Sequence, residues 1–233
     1  VATSLLDLTF IRRDDIGGGL MKLKGFIFDM DGVVVENHAY HFQAWMEFAR
    51  KYKFELNDQI YKDKFNGKTN EDLFRMIFKN ITPEQIKKLT LEKEGLYQKL
   101  YFPHLGVTKG LYQFIDDLRR EGKKIALGTS APTMNVDFVL DNLKLRGNFD
   151  IIVDGSMVKN GKPDPEVYQA CCHRMGLSPS DCVVFEDSLA GLESGARAGC
   201  KIVGVATSHK IWELKSKTDD VIVDFTDMKY LFR

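Results

Sequence analysis

Six short apolar runs, separated by helical patterns, constrain this sequence more than any other feature. They lie at 24–29 (KGFIFD), 124–128 (KIALG), 150–153 (DIIV), 182–186 (CVVFE), 201–205 (KIVGV) and 221–223 (VIV). Most are unbroken rather than alternating, which is the pattern of strands covered on both faces. Helical periodicity predicts helices at about 109–121, 133–142, 165–175 and 189–198, with Gly122, Gly176 and Gly199 placed to end three of them. Such alternation gives an α/β fold with a mostly parallel sheet and right-handed crossovers.

One segment departs from this rhythm. About eighty residues between the first strand and the helix at 109 carry helical patterns and no strong strand. Tyr40, Ala44 and Phe48 recur at helical spacing, and Thr82-Pro83-Glu84-Gln85 combines a threonine cap, a proline and a glutamine in the order that starts a helix. The segment reads as a second, smaller helical domain inserted directly after the first strand.

Composition narrows the function. Lysine plus arginine and aspartate plus glutamate each number 33, so no broad positive field exists to favour nucleic acid or an anionic membrane. No apolar run reaches the ~20 residues that span a bilayer. Residues 1–20 contain Asp7, Asp14 and Asp15 without a basic, then apolar, leader pattern; with Met21 resembling a start, they are expected to be an extension outside the folded unit. Cys171, Cys172, Cys182 and Cys200 lack zinc-site spacing and fall in apolar patterns, so they are expected to be buried thiols of a cytoplasmic protein.

Open parallel sheets bind ligands at the carboxyl ends of their strands. Four chemically loaded segments are expected at four such ends. Asp29-Met30-Asp31-Gly32 follows the first strand: Asp29 has the chemistry to attack phosphorus, and Asp31 to protonate a leaving oxygen and then deprotonate water. A polar turn is the structural alternative. Gly128-Thr129-Ser130 offers hydroxyls and backbone amides to phosphate oxygens, or else Ser130 or Thr133 caps a helix. Gly161-Lys162-Pro163-Asp164-Pro165 holds a lysine in a constrained turn, either as a phosphate counter-charge or as a solvated loop residue. Glu186-Asp187-Ser188 supplies hard oxygen donors suited to magnesium, and Ser188 also suits a helix cap. Two close carboxylates at the first motif themselves call for a cation.

In this order the four segments resemble the motifs of the haloacid dehalogenase superfamily, and within it the β-phosphoglucomutase-like group with a helical cap. DMDG matches the first motif, the threonine of LGTSA the second, GKPDP the third and EDS the fourth, and the similarity spans residues 22–233. The resemblance implies a Rossmann-like core at 21–35 and 108–233 and a helical cap at 36–107. It further implies Asp29 as nucleophile, Asp31 as general acid/base, and Thr129, Ser130 and Lys162 around the phosphate. Magnesium would be held by Asp29, the Asp31 carbonyl and Asp187, with Glu186 beside it. Asp31 argues for phosphate rather than halide chemistry, because the superfamily's dehalogenases lack it.

Cap residues bear on the substrate. His41 and Trp45, four apart on one helical face, match positions that approach the acid/base and wall the sugar in the sugar phosphomutases; ordinary packing is the alternative. Gly67, Lys68 and Asn70 form a second cap motif. The mutases carry there, at the position of Asn70, an arginine that grips a second phosphate, and an asparagine offers no charged, bidentate contact. The expected function is thus a phosphatase of small sugar phosphates, with β-phosphoglucomutase as runner-up and a pyrophosphatase or a silent binding protein behind it. The partner is a small phosphorylated metabolite, and the chain is expected to work as a monomer, with a weak dimer as the alternative.

Overall fold

The computed structural model describes residues 22–65 and 68–230. The expected N-terminal extension at 1–20 and Gly67 lie outside the described residues.

Among the described residues, six parallel strands form one sheet: β1 (Gly25–Phe28), β2 (Lys124–Gly128), β3 (Ile151–Val153), β4 (Cys182–Glu186), β5 (Lys201–Val205) and β6 (Asp220–Ile222), in the order β3-β2-β1-β4-β5-β6. Each predicted run becomes a strand, within a residue or so at its ends. Helices α1 (His38–Tyr52), α2 (Asp58–Lys64), α3 (Asn70–Ile77) and α4 (Pro83–Tyr101) follow β1, and α5 (Leu111–Arg120) leads into β2. Then come α6 (Thr133–Asn142), α7 (Glu166–Met175), α8 (Leu189–Ala198) and α9 (Ile211–Lys215).

Unbroken apolar strands are explained by burial on both faces. Phe26 and Phe28 face one side with Ile125, Leu127, Val183 and Phe185, packed against Phe114 and Leu118 of α5 and Val136 of α6. Ile27, Ala126 and Val184 face the other, against Val167, Tyr168 and Cys171 of α7 and Leu192 of α8. At the centre the Phe28 and Phe185 rings stack at 4.9 Å, with Phe114 edge-on to Phe185 at 5.5 Å. Cys171, Cys172 and Cys182 are buried and Cys200 partly so, all as free thiols.

The helices after β1 carry a core of their own. Trp45, Phe48, Tyr61, Phe65, Leu73, Phe74 and Ile86 pack together away from the sheet. The predicted capping box holds: Thr82 accepts from the Gln85 amide and the Gln85 side chain accepts from the Thr82 amide. This segment is nevertheless anchored below, because Ala44, Tyr97 and Tyr101 belong to the sheet's cluster and Gln98 donates to the Met134 carbonyl on α6. Among the described residues no helix is long and apolar enough to cross a membrane.

The strand order reverses between β1 and β4, since β2 and β3 extend to one side of β1 and β4, β5 and β6 to the other. A crevice opens at such a reversal, outside the carboxyl ends of the strands. Asp29 follows β1 there, and Glu186 and Asp187 end and follow β4.

Candidate active site

The loop after β1 is wound tightly. Met30 O accepts from the amides of Val33, Val34 and Val35 (3.3, 2.9 and 3.1 Å), and the three valines are fully buried. Gly32 allows this turn with φ +82°; a Cβ there would strike His38 Nε2 and the Asp187 carboxylate. Both Asp29 and Asp31 are thereby aimed into the crevice beside β4. A second tether comes from the loop after β5, where Thr207 Oγ1 donates to Gly32 O (2.5 Å) and Ser208 Oγ to Asp187 O (2.9 Å).

Lys162 reaches the crevice from a loop tied at both ends. The Glu166 side chain accepts from the Lys159 and Asn160 amides, Asp164 Oδ1 accepts from the Glu166 amide, and Ser194 Oγ of α8 donates to Asp164 O. Helix α7 starts at Glu166, with Pro165 as its cap rather than its first residue. Lys162 Nζ, buried, donates to Asp29 Oδ1 at 2.8 Å and to Glu186 Oε1 at 2.5 Å, and lies 4.8 Å from the Tyr168 ring centre. The two carboxylates outweigh the burial penalty and raise its pKa.

Glu186 is fully engaged. Oε1 accepts from Lys162 and from Tyr168 OH (2.7 Å); Oε2 accepts from the Asp187 and Ser188 amides and from Ser188 Oγ (3.0, 3.0 and 3.1 Å). Ser188 also caps α8 by accepting from the Gly191 amide, so its structural reading holds. Asp187 is different: Oδ2 lies 2.6 Å from His38 Nε2, while Oδ1 is buried with no hydrogen-bond partner. Asp29, Glu186 and Asp187 present oxygens within 4.8 Å of one another.

These groups carry excess negative charge. Burial pushes the Asp29 carboxyl well above its usual range, Lys162 opposes this, and Glu186, Asp31 and Asp187 add to the rise. His38 is raised to about 9, because Asp187 overcomes its burial. Two cationic side chains therefore face four carboxylates, a balance that a divalent cation completes. The donor set fits a hard one: carboxylate oxygens, one of them the orphaned Asp187 Oδ1, and no thiolate.

Asp31 turns toward the helices. Its Oδ1 accepts from Asn37 Nδ2 at 2.6 Å and lies 3.6 Å from His41 Nε2. Burial would raise its pKa, but His41 and Asn37 prevail and hold it at about 2. His41 in turn has Nδ1 at 2.9 Å from Lys93 Nζ and stacks on Tyr97 at 3.7 Å; burial and Lys93 lower its pKa. Lys93, donating to Nδ1, places the imidazole proton on Nε2, which lies on the Asp31 side at 3.6 Å without forming a hydrogen bond.

Thr129 is buried after β2, and its Oγ1 accepts from the Ala131 amide at 3.0 Å, which leaves the hydroxyl proton free to donate. At this loop the Thr129 amide is bonded to Val153 O and the Ala131 amide to Thr129 Oγ1, so these two backbone amides are already engaged. Neither Ser130 nor Thr133 caps α6; Thr133 Oγ1 donates instead to Asp154. Asp29, Asp31, Thr129, Ser130, Lys162 and Asp187 all line one cleft of about 630 Å³, its open mouth included. His41, Trp45, Lys68 and Asn70 line it from the helical side. Glu186 lies behind this lining.

The sequence model of the haloacid dehalogenase-like hydrolases matches residues 26–205. The chain belongs to that family. Members similar to it include a phosphorylated-carbohydrate phosphatase of Thermotoga maritima, 32% identical over 80% of this chain and 87% of that protein. A β-phosphoglucomutase of Bacillus subtilis is 29% identical over 78% of this chain and 83% of its own length. Among solved structures, a family IA hydrolase of the same kind from Entamoeba histolytica superposes with TM-score 0.81 at 27% identity, covering 90% of this chain and 97% of the other. The chain is therefore a phosphoryl-transfer enzyme of this hydrolase family.

Sequence reasoning missed several residues of this family member's cleft. His38, 2.6 Å from the Asp187 carboxylate, was signalled only by its place three before His41. Asn37, Lys93, Glu94 and Asn135 also reach the site. Lys93 and Glu94 stand in a charged run, Glu92-Lys93-Glu94, that reads as solvated surface, yet the pair is 2% and 1% exposed.

Proposed function

We propose that this chain is a magnesium-dependent phosphatase of small sugar phosphates, with Asp29 as nucleophile. The observation that carries this reading is the convergence on one cleft of Asp29, Asp31, Thr129, Lys162 and Asp187, from four separate loops, with Lys162 hydrogen-bonded to Asp29 at 2.8 Å. Magnesium, held by Asp29, Asp187 and the Asp31 carbonyl, supplies positive charge to phosphate and nucleophile when bound. Glu186, its oxygens occupied by five donors, orients Lys162 and the Asp187 backbone rather than binding metal directly.

Asp29 attacks phosphorus, and the ester oxygen leaves with a proton from Asp31. Water then attacks the phosphoryl group on Asp29 and passes a proton back to Asp31. Thr129, Ser130 and Lys162 hold the phosphate oxygens. The geometry with Asn37 and His41 on Asp31 is that of its base form, and the proton-bearing acid requires those two contacts to loosen. Residues 36–107 serve as a cap: their helices close over the strand ends, carry their own core and bring His41, Trp45, Lys68 and Asn70 to the cleft. Closure would exclude water from the reaction.

The phosphatase reading is favoured over β-phosphoglucomutase by Asn70, whose Nδ2 donates to Glu94 Oε1 at 2.6 Å and offers no cation to a second phosphate. The mutase remains the second reading because His41 faces Asp31 and Trp45 borders the cleft. The test is incubation with magnesium and β-glucose 1-phosphate plus a trace of glucose 1,6-bisphosphate, following phosphate and glucose 6-phosphate together. Phosphate without glucose 6-phosphate is expected; glucose 6-phosphate without matching phosphate would make this a mutase. Asp29→Asn, nearly isosteric, is expected to abolish release with its circular dichroism unchanged, and normal turnover by it would refute the nucleophile.

A further inference from the structure

We infer that Glu94, set between Asn70 and Asn135 on the helical side of the cleft, restricts this site to monophosphate esters whose far end is uncharged and hydroxylated. The inference rests on the phosphatase reading and names the substrate class within it.

Glu94 is 1% exposed and borders the cleft. Its Oε1 accepts from Lys93 Nζ at 2.9 Å and Asn70 Nδ2 at 2.6 Å, and its Oε2 from Asn135 Nδ2 at 2.7 Å. Asn135 Oδ1 is itself held by Gln98 Nε2 at 3.0 Å, so the array is braced from α6 as well as from α3 and α4. Burial opposes ionisation, but the Lys93 charge and the two amides keep the Glu94 pKa below its ordinary value. A fixed carboxylate therefore borders the cleft from its helical side.

Glu94 neutralises the buried cation on this wall. The Lys93 ammonium is divided between Glu94 and His41 Nδ1 and packs 5.1 Å from the Trp45 ring centre. Lys68 is exposed at the rim, where solvent and salt screen it. A second phosphate entering here would give up its water for a charge-neutral ion pair, with no buried cation free to receive it. Hydroxyl groups suit the same wall: they can donate to the carboxylate and pair with the amides. Tyr61, Phe65 and Leu73 line the cleft beside it and suit the C–H face of a sugar or polyol.

Calorimetry with the Asp29→Asn protein and magnesium compares glucose 6-phosphate with glucose 1,6-bisphosphate. The bisphosphate is expected to bind about tenfold more weakly, because its second phosphate is desolvated without gaining a free cation. Glu94→Gln, which keeps the shape and removes the charge, is expected to bring the two affinities within about threefold. Because that change leaves Lys93 with only His41, Asn70→Lys provides a second variant on the first turn of α3, where the fold does not depend on the buried pair. It is expected to shift the ratio toward the bisphosphate. Equal binding of the two ligands by the parent protein would overturn the inference, as would binding of neither. So would an unchanged ratio in both variants. Discrimination in calorimetry without phosphate release from any ester by the wild type would sink the phosphatase reading instead.

Discussion

Gly191→Ala separates the architecture of this site from ordinary helix energetics. Gly191 is inside α8, where alanine is the better helix former by about 1 kcal/mol. Local propensity alone thus expects stabilisation. A Cβ at Gly191, however, would land on the Glu186 carboxylate, touching Oε1, Oε2 and the carbon between them. Glu186 is fully buried and holds Lys162, Tyr168 OH, two backbone amides and Ser188 Oγ, so it cannot withdraw without orphaning donors. Overpacking costs about 1–3 kcal/mol, and weakening two hydrogen bonds to a charged group adds about 1.5–3 kcal/mol each at the upper limit. Even with partial relaxation the propensity gain is outweighed, by about 2–4 kcal/mol, which at ~2–4 °C per kcal/mol for a chain of this size lowers Tm by about 4–16 °C. Displacing Glu186 also moves Lys162 off Asp29, and a shift near 1 Å is expected to reduce turnover about 10²-fold. The matched control is Gly95→Ala in α4, where nothing lies within 4 Å of the added carbon. There the gain of about 1 kcal/mol survives and Tm rises by about 2–4 °C. Scanning calorimetry and phosphate-release kinetics on both variants decide the matter. If Gly191→Ala stabilises as Gly95→Ala does, with activity intact, then Glu186 does not organise the site.

Two further predictions follow from the same geometry. Asp31→Asn is expected to slow hydrolysis of alkyl phosphates by about 10²–10⁴-fold and that of p-nitrophenyl phosphate far less, because the activated leaving group needs no proton; equal losses on both substrates would remove Asp31 from the role of acid. Thr82→Ala dissolves the capping box of α4 and is expected to cost about 1 kcal/mol, read as a Tm lower by about 2–4 °C with kcat unaltered; an unchanged Tm would mean that packing of Tyr97 and Tyr101 alone sets the stability of that helix.

The core was legible because its signals are local. An unbroken run such as CVVFE states burial on both faces, and an acidic or glycine-rich tail at its end states where the chain leaves the sheet. Strand order is not local, yet a parallel sheet places every such tail on one edge, so Asp29, Thr129 and Asp187 could be grouped before any order was known. The helical side was less legible for a physical reason. Along α4, Glu92, Lys93 and Glu94 look alike as charges, and which of them turns inward depends on what α1 and α6 present to that helix. Lys93 is drawn in by the aromatic face of Trp45 and by His41 Nδ1, and Glu94 by Lys93, Asn70 and Asn135. Each partner is remote in sequence or unremarkable by itself, so no spacing rule singles the pair out. A buried ion pair is costly unless its remaining hydrogen-bonding capacity is met, and here amides and an imidazole meet it at the border of the cleft. The phosphoryl-transfer chemistry is thus written in motifs at strand ends, whereas the selectivity proposed for the rest of the substrate rests on tertiary contacts that only the assembled helices create.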